Sequence, residues 1–467
     1  MTTLEVTPYQ EFRGTDRSFD WYMLPFDKVG SCTGPRTQKH IVDQVRSTDI
    51  TDVFVFAHGW NNDWNVATKR YRDFIDGYLG LRRERGLETG RPLNPLLVGV
   101  FWPSTALVVG SEEGLRIAGG ATDDRAAKHA LRHGEVEAVA AELSERALPR
   151  FYELLDRDEI SEIEALDLKE MLKPLLERTS EDDPAEFMAN GDEESQGRQG
   201  DPTVATWRSY GAATPEERRE DPHKIAEQVA DFGRVPAAEP LVGASVLGKL
   251  DPRRILRLVT VQLMKDRAGT VGAKGVAPLL VELLGAANHQ DTRVHLLGHS
   301  YGAKVCLSAV CYPSALPRQV TSMLLLQPAV NHRCFADDEY GRGGYHAALD
   351  RVNLPILSTY STHDWPLRHV FQYAAHRTVD VNEIRIAADG RPDPYSALGG
   401  YGPWGLGDRA KLVDVRLPDE RYNLGADAPH VYGVRASSTI SGHGDINNVS
   451  TWWALDNLVT ADPRGPA

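Results

Sequence analysis

The sequence predicts an α/β protein built on a mostly parallel β-sheet with helices on both faces. Two parts of the 467-residue chain lead to this prediction. The first is a strand–helix–strand unit over residues 52–103, and the second is a strand–turn–helix unit over residues 292–310. Apolar runs long enough to be buried on both faces are typical of parallel strands, which need helical crossovers between them.

The composition indicates a globular protein. Hydrophobic residues make up 41% of the chain and charged residues 25%, which are ordinary globular values. The net charge of -14 argues against a nucleic-acid partner, because phosphates need a positive protein face. No run of about 18 uncharged apolar residues occurs, so we expect no transmembrane segment. The first residues lack the basic and apolar regions of a signal peptide, so we expect a cytoplasmic protein. Export that needs no signal peptide would leave no trace in the sequence.

We expect neither a metal nor a cofactor. The four cysteines form no CxxC pair and no zinc-like spacing, so structural thiols are the default interpretation. His129 and His133 are four residues apart, but no third ligand is evident and a solvated helix explains them better. The glycines of residues 269–275 lack the spacing of a phosphate-binding loop. Close packing at a helix start is the better interpretation.

Residues 1–104 are predicted to form the first part of the core. In chain order the predicted elements are a strand (17–26), a helix (38–45), a strand (52–57), a helix (64–85) and a strand (95–103). The last three form a βαβ unit, which implies parallel pairing with a right-handed crossover.

Residues 105–250 are predicted to be an insertion, since one crossover needs far fewer residues. Residues 135–178 are strongly helical and acidic. Residues 179–222 lose apolar periodicity and gain Gly, Pro, Asp and Glu, so we expect a mobile loop there. The charge run is more typical of a solvated face than of a binding site. A lid or cap over a site is an alternative use of the insertion.

Residues 251–460 are predicted to complete the core. Residues 255–264 fit a helix or a strand, and their apolar side chains fit an ordinary core better than a lipid-touching lid. The other predicted elements are a helix (274–284), strands (292–297, 323–327, 356–360 and 431–435), a Gly- and Pro-rich loop (387–429) and a closing helix (448–459).

The residues Gly298-His299-Ser300-Tyr301-Gly302 stand between a predicted strand and a predicted helix. In this setting Gly-x-Ser-x-Gly is typical of a nucleophile elbow, a sharp turn that exposes the serine hydroxyl above the sheet. The backbone is folded so tightly that the two outer positions must be small. We therefore predict Ser300 as a nucleophile, supported by Gly298 and Gly302.

A serine hydroxyl needs a base, and the base needs an orienting acid. His443 lies in Ser-Gly-His-Gly-Asp after the last predicted strand, and we predict it as the base. Asp364 follows the strand at residues 356–360, and we predict it as the acid. A helix N-cap before Pro366 is the alternative use of Asp364. Asp337 and Asp338, after the preceding strand, are rival acids.

Two backbone N–H groups are needed to bind a developing oxyanion. Tyr301, directly after the nucleophile, should supply one of them. The other should come from the loop after the strand at residues 52–57, where Trp60 is our candidate donor. In the same loop we expect Gly59 to let the backbone approach closely, and His58 to order the loop through its side chain.

The segments HGWNND, FWPST, GHSYGAK, STHDWP and SGHGD together resemble those of α/β-hydrolases. They are particularly similar to bacterial esterase/lipase-like families that pair an HG-x-N loop with a W-P-S segment and an H-S-x-G elbow. The resemblance covers residues 51–104 and 271–448. It implies the α/β-hydrolase fold and a serine hydrolase that cleaves a small-molecule or lipid ester through an acyl-enzyme. A lipase or phospholipase at a membrane surface and a non-catalytic binding or scaffold protein are the alternatives.

Overall fold

The computed structural model describes residues 6–13, 18–47, 49–104, 136–157, 159–176, 187–189, 252–287, 292–339, 341–371 and 395–461. The strands are β1 (Gln10–Arg13), β2 (Ser18–Pro25), β3 (Asp52–Ala57), β4 (Pro95–Phe101), β5 (Phe187–Ala189), β6 (Arg293–His299), β7 (Ser322–Leu326), β8 (Asp337–Asp338), β9 (Gly341–Gly343), β10 (Ile356–Tyr360), β11 (Ala410–Asp414) and β12 (Val431–Arg435).

Helices connect and cover these strands. They are α1 (Pro35–Ser47), α2 (Trp64–Arg85), α3 (Leu148–Leu155), α4 (Glu162–Leu176), α5 (Pro252–Thr270), α6 (Ala277–Ala286), α7 (Tyr301–Cys311), α8 (Ala348–Arg351), α9 (Trp365–His369), α10 (Leu398–Tyr401) and α11 (Val449–Thr460). Residues 136–140 are also helical. A π-helical segment, Val271–Val276, joins α5 to α6.

Within the described residues, nine strands form the main sheet, in the order β1-β2-β4-β3-β6-β7-β10-β12-β11. Among these described strands, only the β1–β2 pair is antiparallel, and all the other neighbours run parallel. The predicted mostly parallel α/β sheet is therefore confirmed. The predicted βαβ unit is formed by β3, α2 and β4, and β3 and β4 are parallel neighbours.

The sheet is buried on both faces, because alternate residues of β3 enter two different cores. Val53, Val55 and Ala57 pack in one core with α1, α5, α6 and α7. Phe54 and Phe56 pack in the other with α2 and α11. Side chains on a strand point to opposite faces in turn, so this alternation confirms that helices cover both faces.

Residues 255–264, which fit either a helix or a strand by pattern, belong to helix α5. Their apolar side chains Ile255, Leu256, Val259 and Leu263 are buried in the core. The helical stretch Val259–Ala286 is long and apolar enough to cross a membrane by length and composition, and 67% of its most apolar window is buried inside the protein.

The glycines of the π-helical segment serve close packing, as predicted, but they lie within a long helical stretch and not at a helix start. A Cβ at Gly272 would meet the Val305 carbonyl oxygen at 2.5 Å, and one at Gly275 would meet the Gly30 carbonyl oxygen at 2.6 Å. The absence of side chains lets this segment approach helix α7 at Gly272 and the loop that carries Gly30 at Gly275.

The described part of the predicted insertion packs against the rest of the protein. Helices α3 and α4 pack against α5, and Phe151 and Leu168 enter the same core as α5 and α7. Strand β5 pairs with β9 in a separate three-stranded sheet, β5-β9-β8. His129, His133 and nearly all of the predicted mobile loop lie outside the described residues.

In the main sheet, two predictions about strands were incomplete. Strand β1 was not predicted, and it pairs with β2 at one edge of the main sheet. Residues 387–429 were predicted as a loop, but they contain β11, which pairs with β12 at the opposite edge. Three of the five residues of β11 are exposed, so no buried apolar pattern marks it as a strand.

The strand register brings the predicted site residues to one edge of the sheet. Ala57 pairs with Gly298, and His299 pairs with Leu326. The loop after β3, the elbow after β6 and the segment after β7 therefore leave the sheet side by side. In open parallel sheets this carboxyl edge is where sites form.

Candidate active site

Ser300 occupies a sharp turn between β6 and α7. Its backbone has φ 56° and ψ -123°, a conformation that a non-glycine residue adopts only when its surroundings hold it there. The flanking glycines are tightly packed. A Cβ at Gly298 would lie 2.6 Å from the Ala303 Cα, and one at Gly302 would lie 2.0 Å from the Ala57 carbonyl oxygen. The packing explains why both positions are small.

Ser300, His443 and Asp364 form one hydrogen-bonded series. The Ser300 Oγ lies 2.9 Å from the His443 Nε2, and the His443 Nδ1 lies 2.8 Å from an Asp364 carboxylate oxygen. A carboxylate only accepts, so Nδ1 carries the ring proton and Nε2 accepts from the serine hydroxyl. All three residues are at most 1% exposed, and a buried site strengthens such bonds.

The Asp364 carboxylate caps a helix and also contacts His443, so its position fits both of the uses considered from the sequence. One carboxylate oxygen accepts from the Leu367 N–H at 3.1 Å and caps helix α9. The other carboxylate oxygen faces His443 and also accepts from the Gln327 side-chain amide at 2.8 Å. The cap therefore holds the carboxylate that faces the histidine.

The two rival acids have other contacts. Asp338 forms an ion pair with Arg333. Asp337 lies 3.7 Å from the His346 Nε2, and its side chain is 55% exposed. The carboxylate that the structure brings to His443 is that of Asp364.

The loop that carries His443 is held by bonds from two other elements. The His299 Nε2–H donates to the His443 carbonyl oxygen at 2.9 Å. Arg70, on α2, donates to the neighbouring Gly444 carbonyl oxygen at 3.5 Å. Within the loop, Asp445 accepts from the Ser441 N–H and hydroxyl at 2.8 and 2.9 Å. These bonds restrict the position of the imidazole.

The loop after β3 lies directly against Ser300. A Cβ at Gly59 would be 2.6 Å from the Ser300 Cβ and 3.2 Å from its Oγ, so this approach depends on glycine. The Gly59 carbonyl oxygen accepts from the His58 Nδ1–H and the Asn62 side-chain amide, each at 2.9 Å. In a trans peptide the C=O and the next N–H point in opposite directions. The Trp60 N–H is therefore directed away from both donors.

The segment after β4 fixes the same loop. Ser104 accepts from the Asn61 N–H through its carbonyl oxygen at 2.9 Å and from the Asn62 N–H through its hydroxyl at 3.1 Å. The Trp102 indole N–H donates to the His58 carbonyl oxygen at 2.9 Å, and its ring stacks on the His58 ring. The Trp-Pro-Ser segment thus supports the loop that carries Trp60.

Two buried histidines near Ser300 are held neutral. Burial lowers the pKa of His58 to about 3. Burial lowers the pKa of His299 well below its ordinary value, and the nearby positive charge of Arg70 is the second cause. Because neutral His58 donates through Nδ1, its Nε2 accepts from the Trp102 backbone N–H at 3.3 Å. Its side chain therefore orders the loop.

A second serine–histidine–aspartate group lies at the amino ends of the strands, away from Ser300. The His295 Nδ1 lies 2.7 Å from the Ser322 hydroxyl, and its Nε2 lies 3.0 Å from the Asp52 carboxylate. Asp52 is also held by Arg91 at 2.7 Å. Ser322 and His295 are at most 1% exposed. This group ties together β3, β6 and β7 at their amino ends.

Several residues at the site were not predicted from the sequence. They are Asn62, Arg70, Ser104, His299, Gln327 and Thr359. Ser104 and His299 stand in the W-P-S and H-S-x-G motifs, in which they had been given no role. Among the others, the sequence signal is the polar residue Gln327 at the end of an otherwise apolar strand. Within the described residues, no group of three or more His, Cys, Asp and Glu side chains is placed to hold a metal ion.

Comparisons with protein-family models, with curated proteins and with solved structures found no match to this chain.

Proposed function

We propose that the protein is a serine hydrolase of the α/β-hydrolase fold that cleaves carboxylic esters through an acyl-enzyme. The observation that carries the proposal is the buried series Ser300, His443 and Asp364, with contacts of 2.9 and 2.8 Å. Further support comes from the positive φ of Ser300 between a strand and a helix, the geometry expected of a nucleophile elbow. The sequence resemblance to esterase/lipase-like families points to the same reaction.

In the acylation step the Ser300 Oγ attacks the ester carbonyl carbon while the His443 Nε2 takes the hydroxyl proton. Asp364 stays ionised, holds the imidazole in the required tautomer and stabilises the imidazolium. The tetrahedral intermediate then expels the alcohol oxygen, which takes the proton from Nε2. The products of this step are the free alcohol and the Ser300 acyl ester.

The oxyanion of the intermediate needs two N–H donors. We propose the backbone amides of Trp60 and Tyr301. Tyr301 begins helix α7, whose amino end favours negative charge. For Trp60, the support is that the Gly59 carbonyl oxygen accepts hydrogen bonds from His58 and Asn62. These bonds direct the Trp60 N–H away from both donors.

Deacylation repeats the same proton transfers with water in place of the alcohol. His443 takes a proton from the water as it attacks the acyl carbon, and then returns it to Ser300. The carboxylic acid is released and the resting series is restored. Apart from the ester and water, each step uses only groups of this chain: the side chains of Ser300, His443 and Asp364 and two backbone amides.

A fluorophosphonate probe tests the proposal, because it phosphonylates a serine only when a neighbouring base activates it. We expect the wild type to label, Ser300→Ala to lose labelling, and Ser322→Ala to label like the wild type. Ser322 is the matched control because it also contacts a buried histidine. Equal labelling of wild type and Ser300→Ala would show that Ser300 is not the nucleophile.

Ester hydrolysis separates the remaining alternatives. The wild type should hydrolyse short-chain nitrophenyl esters, and His443→Ala and Asp364→Ala should lose most of that activity. A wild type that neither labels nor hydrolyses any ester would favour a binding or scaffold protein. A large rate increase on micellar over monomeric substrate would favour a lipase at a membrane surface.

A further inference from the structure

Gln327 stands between the nucleophile and the acid. It follows β7 directly, is 0% exposed, and has φ 44°, a strained value for a residue with a side chain. Its neighbours in the chain hold the nucleophile: the Ser300 N–H donates to the Leu326 carbonyl oxygen, and the Ala329 N–H donates to the Ser300 carbonyl oxygen, each at 3.1 Å. One short segment therefore contacts both Ser300 and Asp364.

The side-chain amide of Gln327 can take only one orientation here. The Thr359 hydroxyl oxygen accepts from the Gln327 backbone N–H at 3.0 Å. Its single proton is then donated to the Gln327 Oε1 at 3.1 Å. With Oε1 turned to Thr359, the NH₂ group faces Asp364 at 2.8 Å. The reverse orientation would place Oε1 against a carboxylate oxygen, and two acceptors would face each other.

We propose that Gln327, oriented by Thr359, is a positioning residue that fixes the Asp364 carboxylate for His443. The inference rests on the proposed function. An NH₂ group can only donate, so the Asp364 oxygen that it contacts must accept from both Gln327 and His443. With Leu367 holding the other oxygen, the carboxylate cannot rotate, and the imidazole proton is kept on Nδ1.

Two substitutions of Gln327 separate positioning from simple structural support. Gln327→Met keeps the approximate volume and removes the donor. We expect kcat per labelled active site to fall about 10- to 100-fold, the usual effect of losing a hydrogen bond to a charged group. The KM should change little, because Gln327 does not face the substrate in the proposed mechanism.

Gln327→Glu should show a pH dependence of activity that a purely structural role of Gln327 would not produce. A protonated carboxylic acid can still donate to Asp364, whereas an ionised one repels it, and crowding of two carboxyls raises the pKa of one of them. The activity lost relative to the wild type should therefore grow as the pH rises. The loss in Gln327→Met should be the same at every pH.

Strand β10 provides a second test variant and a matched control. Thr359→Val removes the hydroxyl that orients Gln327 and should lower kcat. Ser358→Ala removes the neighbouring hydroxyl, which is buried and has no hydrogen-bond partner among the described residues, and it should keep the wild-type kcat. Thermal unfolding of each variant, with rates normalised to labelled sites, excludes misfolded protein from the comparison.

The outcomes separate the two proposals. If the wild type labels but Gln327→Met and Thr359→Val match Ser358→Ala in kcat, the positioning role of Gln327 is wrong while the proposed function stands. The same holds if the loss in Gln327→Glu does not change with pH. If the wild type does not label at all, the proposed function fails and the role of Gln327 fails with it.

Discussion

The Nε2 of His299 lies 2.9 Å from the carbonyl oxygen of His443. The residue directly before the proposed nucleophile therefore holds the loop that carries the proposed base. Since burial keeps His299 neutral, it has one ring proton, and that proton is used in this bond. The positions of Ser300 and His443 are thus linked through strand β6 as well as through their own side chains.

This link predicts different outcomes for the two buried histidines of β6. His299→Leu removes the donor and leaves the His443 carbonyl oxygen without it. We expect kcat per labelled site to fall about tenfold, equivalent to ~1.4 kcal/mol in the barrier. Steady-state ester hydrolysis, normalised to fluorophosphonate labelling, measures this change.

His295→Leu is the matched control, because His295 lies on the same strand and is equally buried. It contacts Ser322 and Asp52 at the amino ends of the strands, away from Ser300. This variant should unfold at a lower urea concentration but keep a kcat within about twofold of the wild type. A similar loss of kcat in both variants would mean that His299 acts only through general stability.

The contact between Gly59 and Ser300 predicts the behaviour of a second pair of variants. Gly59→Ala puts a methyl group 2.6 Å from the Ser300 Cβ, so the loop or the serine must shift. We expect kcat to fall about a hundredfold, because displacements of this size disrupt reacting geometry. The fold should be retained, as circular dichroism can check.

Gly80→Ala is the control for a glycine-to-alanine change in the same half of the chain. Gly80 lies within α2, and a Cβ there meets nothing within 4 Å. Alanine should stabilise the helix by roughly 0.5–1 kcal/mol and leave kcat unchanged. Wild-type activity in Gly59→Ala would contradict the close approach between this loop and Ser300.

The catalytic candidates could be predicted because each follows a strand. In a parallel sheet the carboxyl ends of the strands lie along one edge. A nucleophile elbow is followed along the chain by the acid and then the histidine, each after a strand, so Ser300, Asp364 and His443 were expected to meet. The same reasoning placed Gly59 and Trp60 beside the elbow. The register of β3 with β6 agrees, since Ala57 pairs with Gly298.

The supporting residues could not be predicted, because their contacts depend on backbone angles and strand register. Gln327 contacts Asp364 only because its φ is 44° and because β7 lies beside β10, which carries Thr359. Neither fact is present in the sequence pattern. Strand β11 was missed for another reason: an edge strand with exposed residues has no continuous apolar run.

The neutral state of His58 predicts a loss of stability in mild acid. Its pKa is about 3 in the folded protein, against an ordinary value of 6.5. Below pH 6.5 the unfolded chain binds a proton that the folded protein does not, so the free energy of unfolding decreases as the pH falls. For this one residue the decrease between about pH 7 and about pH 5 is ~2 kcal/mol.

Urea unfolding of wild type and His58→Gln at both pH values isolates this contribution. Glutamine does not titrate, so the variant should lose ~2 kcal/mol less than the wild type on acidification, although it is less stable at neutral pH. His295 and His299, whose pKa values are also lowered by burial, contribute to both proteins and cancel in the comparison. An equal loss in wild type and variant would mean that His58 is protonated in the folded state. In that case the His58 Nε2 could not accept from the Trp102 backbone N–H.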